Sequence, residues 1–301
     1  MAKHLLKLMD LSEQEITDIL NLADQLKYEK KHGIEHHYLK GKTLGMIFQK
    51  SSTRTRVSFE VGMYDLGGSA LFLSSRDLQI GRGEPVEDTA RVLSGYLDGI
   101  MIRTFEQAEV EALAEYGSIP IINGLTDYCH PCQVLADLMT FREFKGNFKD
   151  KKMCYIGDGN NMANSLIVGG IKMGMEVAVA CPKEYQPDPE IMKWASENGK
   201  FTCTDNILEA AKDADVLYTD VWASMGQEAE KAEREKVFTG YQINDSVMAV
   251  AKSDAMVQHC LPAHREEEIT AAVFEAHAEE IFAEAENRLH AQKAVLVKLM
   301  G

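Results

Sequence analysis

The stretch LGMIFQKSSTRTRVSFEVGMYDL, residues 44–66, places an apolar run, a polar run and a helical pattern in immediate succession. The apolar run at 44–48 is typical of a short buried strand, and the apolar spacing from 57 to 66 predicts a helix. The same succession recurs along the chain. Because strands that alternate with helices form parallel sheets covered on both faces, the pattern predicts an α/β fold.

The alternation occurs twice, on either side of a polar break at 145–151. We therefore predict two doubly wound domains, each with a central parallel sheet flanked by helices, and a boundary near 140–150. The strands are predicted at 44–48, 70–73, 100–102 and 119–122 in the first half, and at 153–156, 177–180, 216–219 and 256–259 in the second.

The composition is that of an ordinary soluble globular protein, with 301 residues of which 45% are hydrophobic and 26% charged. The formal net charge is -15. Binding to nucleic acid or to an anionic membrane needs a basic surface, so neither partner is expected. An anionic substrate would have to be held by a local cluster of arginines.

The beginning of the chain lacks the long apolar core of a signal peptide, and no apolar run is long enough to span a bilayer. Six scattered cysteines do not suggest a disulfide framework. A cytoplasmic location is therefore expected.

The polar run Lys50–Arg56 lies between a predicted strand and a predicted helix. Backbone N–H groups at a helix N-terminus favour an anion, and hydroxyl and guanidinium groups add hydrogen bonds to phosphate oxygens. Arg103 follows the strand at 100–102, where open parallel sheets bind ligands. These residues predict a site for phosphate or a similar anion, although Arg103 is also compatible with an ordinary surface position.

The segment Cys129–Gln133, with sequence CHPCQ, follows another predicted strand. Its C-x-x-C spacing fits a redox pair or half of a zinc site, but the chain has no second C-x-x-C and no thioredoxin-like context. We interpret His130 as a group that polarises a carbonyl, and Gln133 as a partner for an amide. A helix N-terminus with an internally hydrogen-bonded histidine is the alternative.

Three further polar segments follow strands of the second half. The turn 157–161, GDGNN, lacks the third glycine of a dinucleotide-binding motif, so we predict that it presents asparagine side chains. Asp220 follows the strand at 216–219 and suits an ammonium group, unless it caps a helix. Cys260 follows the last strand and could be a nucleophile, a neighbour of an amine or a buried small residue.

Four motifs in this order resemble the signature set of the carbamoyltransferases: STRTR at 52–56, HPCQ at 130–133, DVWASMG at 220–226 and HCLP at 259–262. The S-M-G element resembles the ornithine branch of that family. The resemblance covers essentially the whole chain and implies carbamoyl transfer from carbamoyl phosphate to the side-chain amine of L-ornithine, giving citrulline and phosphate.

The resemblance also implies a role for individual residues. Carbamoyl phosphate would be bound by Ser52, Thr53, Arg54, Thr55, Gln79, Arg103, His130, Gln133, Cys260, Leu261 and Arg288. Ornithine would be bound by Asn161, Asp220, Ser224 and Met225. The catalytic residues would be Arg103, His130 and Cys260, with Gln79 reaching the site of a neighbouring subunit.

The implied assembly is a homotrimer or a multiple of trimers, with neither a metal nor a cofactor. The implied domains are a carbamoyl phosphate-binding domain at 1–145, on which a helix at 286–301 packs, and an ornithine-binding domain at 146–285. The expected active site is a cleft between these domains.

Alternative functions are a carbamoyltransferase for another acceptor such as putrescine or N-acetylornithine, a nicotinamide-dependent oxidoreductase, or a non-catalytic binding protein. Aspartate is disfavoured as the acceptor because Asp220 stands where an acidic substrate would need a cation. The incomplete glycine pattern disfavours the oxidoreductase, and the full set of polar groups disfavours the binding protein.

Overall fold

A computed structural model describes residues 3–223 and 230–301. The chain folds as two compact units, the first comprising residues 1–136 and 287–301 and the second residues 137–286. The predicted fold class is confirmed, because each unit is built around one parallel sheet flanked by helices.

The first unit contains a four-stranded sheet of order β2-β1-β3-β4 in which all neighbours are parallel. Its strands are β1 Thr43–Phe48, β2 Ser69–Ser74, β3 Gly99–Arg103 and β4 Ile121–Leu125. The central strands β1 and β3 are almost wholly buried, which explains their continuous apolar sequences. Strand β2 lies at an edge and exposes several residues.

The second unit contains a five-stranded parallel sheet of order β7-β6-β5-β8-β9. Its strands are β5 Lys152–Ile156, β6 Glu176–Ala180, β7 Phe201–Thr204, β8 Val216–Thr219 and β9 Met256–His259. The order reverses at β5, so the polar turns after β5 and β8 lie side by side at one edge of the sheet.

The helices connect and cover the strands. In the described residues they are α1 Glu13–Lys31, α2 Thr53–Asp65, α3 Val86–Ser94, α4 Gln107–Tyr116, α5 Pro131–Lys145, α6 Asn161–Lys172, α7 Pro189–Asn198, α8 Ile207–Ala211, α9 Lys231–Phe238, α10 Asp245–Met248, α11 Ala271–Ala276 and α12 Ala278–Met300. None of the helices in the described part of the chain has the length and apolar character needed to cross a membrane.

The structure differs from the sequence-based expectation at several elements, and strand β4 lies at 121–125 rather than at the predicted 119–122. Strand β7 was not predicted, because its sequence Phe-Thr-Cys-Thr has no apolar run and it lies at the sheet edge. Helix α2 begins inside the STRTR motif rather than after it, because Ser52 caps it. Helix α12 begins eight residues before the predicted start at 286.

Candidate active site

Helix α2 begins at the STRTR motif and forms the first part of the site. Ser52 is its N-cap, and the Ser52 hydroxyl accepts a hydrogen bond from the Thr55 backbone N–H at 3.2 Å. Thr53 is the exposed first residue of the helix, whereas Arg54 is half-buried. The remaining N–H groups of the first turn and the helix dipole together favour an anion.

Arg103 is the last residue of β3 and lies opposite Phe48, the last residue of β1. The backbone N–H groups of Gln49 and Lys50 donate to the Arg103 carbonyl oxygen, at 2.8 and 3.4 Å. This pairing holds the beginning of the STRTR loop against the end of β3. Arg103 is only 4% exposed, although charged residues are seldom buried to this extent.

Arg288 of α12 connects two of the predicted residues. One of its terminal nitrogens donates to the Thr55 hydroxyl at 2.7 Å, and the other donates to the Gln133 side-chain oxygen at 3.0 Å. All three side chains are buried. Gly62 allows α12 to approach α2, since a Cβ at this position would lie 3.3 Å from the Lys293 side chain.

His130 is buried next to the first residue of α5. Burial, together with the positive charges of Arg288 and Arg103, lowers the pKa of His130 well below 6.5. The ring is therefore neutral at pH 7, so one nitrogen can donate a hydrogen bond without adding a third positive charge. We call Thr55, Arg103, His130, Gln133 and Arg288 the polar cluster.

The lowered pKa of His130 predicts how stability depends on pH. A histidine whose pKa is lower in the folded than in the unfolded chain stabilises the fold above pH 6.5, and this contribution is lost as the pH falls further. We expect the Tm of the unchanged protein to fall more steeply from pH 7.5 to pH 5 than that of His130→Gln. The exposed His37→Gln should follow the unchanged protein, and parallel curves for all three proteins would contradict the assignment.

Gln79 does not belong to the buried part of this site. It is exposed at the first residue of the short 3-10 helix Gln79–Arg82. Gln79 is therefore accessible to solvent, whereas the residues of the polar cluster are buried.

Asp220 follows β8 and forms the centre of the polar residues in the second unit. It is 6% exposed, and its carboxylate accepts hydrogen bonds from the Val221 backbone N–H at 2.8 Å and from the Asn160 side-chain amide at 3.1 Å. Asn160 also caps α6 through its side-chain oxygen. The structure shows no helix at residues 221–223 for Asp220 to cap.

Cys260 is partly buried, and its sulfur lies 3.1 Å from an oxygen of Asp220. Burial, with the negative charge of Asp220, raises the pKa of Cys260 well above 9.0. Cys260 is therefore a neutral thiol at pH 7, which does not suit a nucleophile. Leu261, the next residue, is also partly buried and packs against the core of this unit.

Asp220, His259 and Cys260 place their possible ligand atoms within 4.8 Å of one another, as in a metal site. However, both ring nitrogens of His259 are used inside the protein. One accepts from the Leu261 backbone N–H at 2.9 Å, and the other faces Glu268 at 3.0 Å. Because both ring nitrogens of His259 already have hydrogen-bond partners, these three residues fit a substrate site better than a metal centre.

Of the other three residues predicted to bind ornithine, the structure describes only Asn161. Asn161 is the first residue of α6 and is 9% exposed, one residue after the Asn160 that binds Asp220. Ser224 and Met225 lie outside the described residues. Gly159 is explained by packing, since a Cβ there would lie 2.3 Å from the backbone of Gln186 and Pro187.

Sequence reasoning did not identify the ion pair between Asp158 and Arg234. Arg234 donates to Asp158 at 2.7 Å and to the Trp222 carbonyl oxygen at 3.0 Å, and so holds the beginning of the DVWASMG motif. Burial raises the pKa of Asp158 to about 6 although Arg234 opposes this shift. The GDGNN motif drew attention to the segment that contains Asp158, but nothing in the sequence indicated that Asp158 pairs with Arg234.

The cysteines of the C-x-x-C motif are inert. Burial raises the pKa of Cys129 and of Cys132 to about 12. The Cys129 sulfur contacts the Leu6 carbonyl oxygen at 3.6 Å, and the Cys132 sulfur contacts the Asn123 carbonyl oxygen at 3.3 Å. Their surroundings are typical of structural cysteines rather than of a redox pair.

Comparisons with known proteins identify the family of this chain. Residues 3–143 match the family model described as aspartate/ornithine carbamoyltransferase, carbamoyl-P binding domain. Residues 149–299 match the model described as aspartate/ornithine carbamoyltransferase, Asp/Orn binding domain. The two models together account for nearly all of the chain.

Individual relatives match over the full length. An ornithine carbamoyltransferase of Oceanobacillus iheyensis is 55% identical, with 100% of this chain and 95% of the relative covered. One of Syntrophotalea carbinolica is 56% identical with both chains fully covered. The solved ornithine carbamoyltransferase of Pyrococcus furiosus is 53% identical and has a TM-score of 0.95, with 99% of this chain and 97% of that chain covered.

These matches confirm the resemblance carried by the four sequence motifs. The chain belongs to the aspartate/ornithine carbamoyltransferase family.

Proposed function

We propose that this protein is an enzyme that transfers the carbamoyl group of carbamoyl phosphate to the side-chain amine of L-ornithine, giving L-citrulline and phosphate. The observation that carries the proposal is the polar cluster, in which Arg288 joins Thr55 at the N-terminus of α2 to Gln133 of α5. Family membership supports the same reaction, and the similar proteins named above are ornithine carbamoyltransferases.

Carbamoyl phosphate binds to the first unit in this proposal. Its phosphate lies at the N-terminus of α2, where helix N–H groups, hydroxyls and a guanidinium all favour an anion. These groups belong to Ser52, Thr53, Arg54 and Thr55. Arg103 bridges the phosphate and the carbonyl oxygen, His130 donates to the carbonyl oxygen, and Gln133 binds the carbamoyl amide.

Ornithine binds to the second unit. Asp220 is a buried carboxylate whose charge suits an ammonium group, and Asn160 and the Val221 N–H hold it in place. Asn161, Ser224 and Met225 complete the ornithine site in this proposal. Cys260, with Leu261 beside it, contacts the reacting groups as a neutral thiol rather than as a nucleophile.

The reaction needs no covalent enzyme intermediate. The side-chain ammonium group of ornithine first releases a proton to solvent, and the neutral amine then attacks the carbamoyl carbon, which forms a C–N bond and places negative charge on the carbonyl oxygen. Arg103, His130 and the Thr55 hydroxyl stabilise this charge. The bond from carbon to the phosphate oxygen then breaks, and the departing phosphate accepts the proton of the attacking amine.

The acceptor is tested by measuring phosphate release and product formation from carbamoyl phosphate with ornithine, putrescine, N-acetylornithine and aspartate in parallel. Turnover with ornithine alone is expected. Turnover with putrescine would show that the α-carboxylate is not recognised, and turnover with another acceptor would overturn the assigned roles of Asp220 and Ser224. Absence of turnover with all four would contradict the proposed reaction.

The proposed reaction belongs to arginine biosynthesis, because citrulline carries the carbamoyl nitrogen and carbon toward the guanidinium group. A cytoplasmic location is proposed with it. All six cysteines are free thiols, which is consistent with a reducing compartment.

A homotrimer is proposed as the assembly, or a multiple of trimers. The supporting feature is an exposed apolar surface around the edge strand β2, where Leu71 is 48% and Phe72 40% exposed and Val57 of α2 is 51% exposed. An edge strand with apolar side chains is a common pairing surface between chains. Gln79 lies on the segment after β2 and is proposed to reach the carbamoyl phosphate site of a neighbouring subunit.

Mixing two inactive variants tests the shared site. If each site combines Arg54 of one subunit with Gln79 of another, then Arg54→Ala chains and Gln79→Ala chains should restore activity when dissociated and reassembled together. Each variant reassembled alone is the control and should stay at its own low activity. Activity that remains at the average of the two variants would contradict a shared site.

A further inference from the structure

Two cysteines of the second unit, Cys181 and Cys203, lie with their sulfur atoms 3.7 Å apart. Cys203 belongs to β7 and is paired with Val179 of β6. Cys181 comes two residues after Val179, and alternate residues of a strand point to the same face of a sheet. The register of the two strands therefore directs both thiols to the same side.

The backbone fixes this arrangement beyond the end of β6. The Cys181 N–H donates to the Thr204 carbonyl oxygen at 3.1 Å, so Cys181 continues the ladder that pairs Ala180 with Thr204. The sulfur atoms need to approach from 3.7 Å to about 2.05 Å to form a bond.

The two thiols have different accessibility and different acidity. Cys203 lies on the edge strand and is partly exposed, whereas Cys181 is only 1% exposed. The pKa of Cys203 is lowered and that of Cys181 is raised, because the hydrogen bond between the two thiols favours the Cys203 thiolate when Cys181 is the donor. Because the thiolate is the nucleophile, Cys203 is the thiol that attacks first and Cys181 the thiol that resolves.

The other four cysteines do not share these properties. Burial raises the pKa of Cys129, Cys132 and Cys154 to about 12, and burial with the negative charge of Asp220 raises that of Cys260 well above 9.0. Modification by a thiol reagent should therefore be selective for the edge of the second sheet.

We propose that Cys181 and Cys203 form an oxidisable dithiol that closes to an intramolecular disulfide on reaction with a small disulfide such as oxidised glutathione. The Cys203 thiolate attacks one sulfur of oxidised glutathione, which forms a mixed disulfide and releases one glutathione thiolate. The Cys181 thiol then loses its proton and attacks the Cys203 sulfur. This second step forms the Cys181–Cys203 bond and releases the second glutathione.

Electrons and protons balance in this reaction. The two cysteine thiols lose two electrons and two protons, and oxidised glutathione is reduced to two molecules of glutathione. A dithiol reductant reverses the change. The inference does not depend on the proposed carbamoyl transfer, because both its observation and its test concern the thiols alone.

The test is to incubate the reduced, full-length protein with excess oxidised glutathione, block the remaining thiols with iodoacetamide and map the peptides by mass spectrometry. We expect a cross-linked pair of peptides containing Cys181 and Cys203, lighter by two hydrogen atoms than the separate peptides. Reduction with dithiothreitol should abolish the cross-link.

Variants separate the two steps. Cys181→Ser should stop at a glutathione adduct on Cys203, whereas Cys203→Ser should stay unmodified at Cys181. Cys181→Ala serves if the buried serine impairs folding, and Cys154→Ser is the matched control that should still form the cross-link. A stable glutathione adduct on Cys203 of the unchanged protein, a disulfide elsewhere or no reaction would overturn the proposal.

Discussion

Replacing Arg54 by alanine is expected to weaken the binding of carbamoyl phosphate by roughly 30-fold or more while the protein stays folded. Arg54 lies in the first turn of α2, within the STRTR motif. Losing one charged partner of a phosphate costs about 2–5 kcal/mol, which corresponds to a roughly 30-fold to 5,000-fold weaker affinity. The side chain is only half-buried, so its removal should leave no large cavity.

The measurement is isothermal titration with carbamoyl phosphate, accompanied by a thermal unfolding curve. Arg91→Ala is the matched control, because Arg91 is an exposed arginine of the same unit that forms an ion pair with Asp88 and lies over the ring of Tyr116. Arg91→Ala should bind carbamoyl phosphate normally. Unchanged binding by folded Arg54→Ala would refute the assigned phosphate site.

Replacing Asp220 by asparagine is expected to remove most ornithine-dependent activity while carbamoyl phosphate still binds. The substitution preserves the shape of the side chain and the hydrogen bond from the Val221 N–H, but it removes the negative charge. Loss of a buried charge that faces an ammonium group costs about 2–5 kcal/mol. We therefore expect kcat/KM for ornithine to fall by roughly 30-fold to 5,000-fold.

A second readout separates the charge effect from misfolding. Since the negative charge of Asp220 raises the pKa of Cys260, Asp220→Asn should lower that pKa and make Cys260 react faster with iodoacetamide. Asp205→Asn is the control, because Asp205 is an exposed carboxylate of the same unit that pairs with Lys183. Normal kcat/KM for ornithine in Asp220→Asn would show that the amine is held elsewhere.

The first part of the site could be anticipated because its signals are local. A hydroxyl-rich and arginine-rich run between a strand and a helix predicts an anion site, and the strand-end position of Arg103 follows from the rule for parallel sheets. The structure shows Ser52 capping α2 and Arg103 ending β3, as this reasoning requires. The position of each of these two residues is encoded by the residues next to it in the sequence.

The remaining contacts depend on residues that are far apart in the chain. Arg288 meets Thr55 across 233 residues, and Arg234 meets Asp158 across 76. No periodicity or spacing encodes such a pair, because it results from how whole elements pack. Only the resemblance to the carbamoyltransferases indicated a role for Arg288, and nothing indicated the partner of Arg234.

The order of the chain in the first unit has a consequence for how the protein matures during translation. This unit combines residues 1–136 with residues 287–301, and Arg288 and Met300 pack into it beside Thr55 and Gly99. A nascent chain can form the sheet β1–β4 early, but its polar cluster stays incomplete until Arg288 has left the ribosome. Domains generally fold as they emerge. In this protein the first unit leaves the ribosome first but is completed only by the last segment of the chain. A translation product that stops before α12 would therefore contain the sheet β1–β4 but lack the Arg288 guanidinium that joins Thr55 to Gln133.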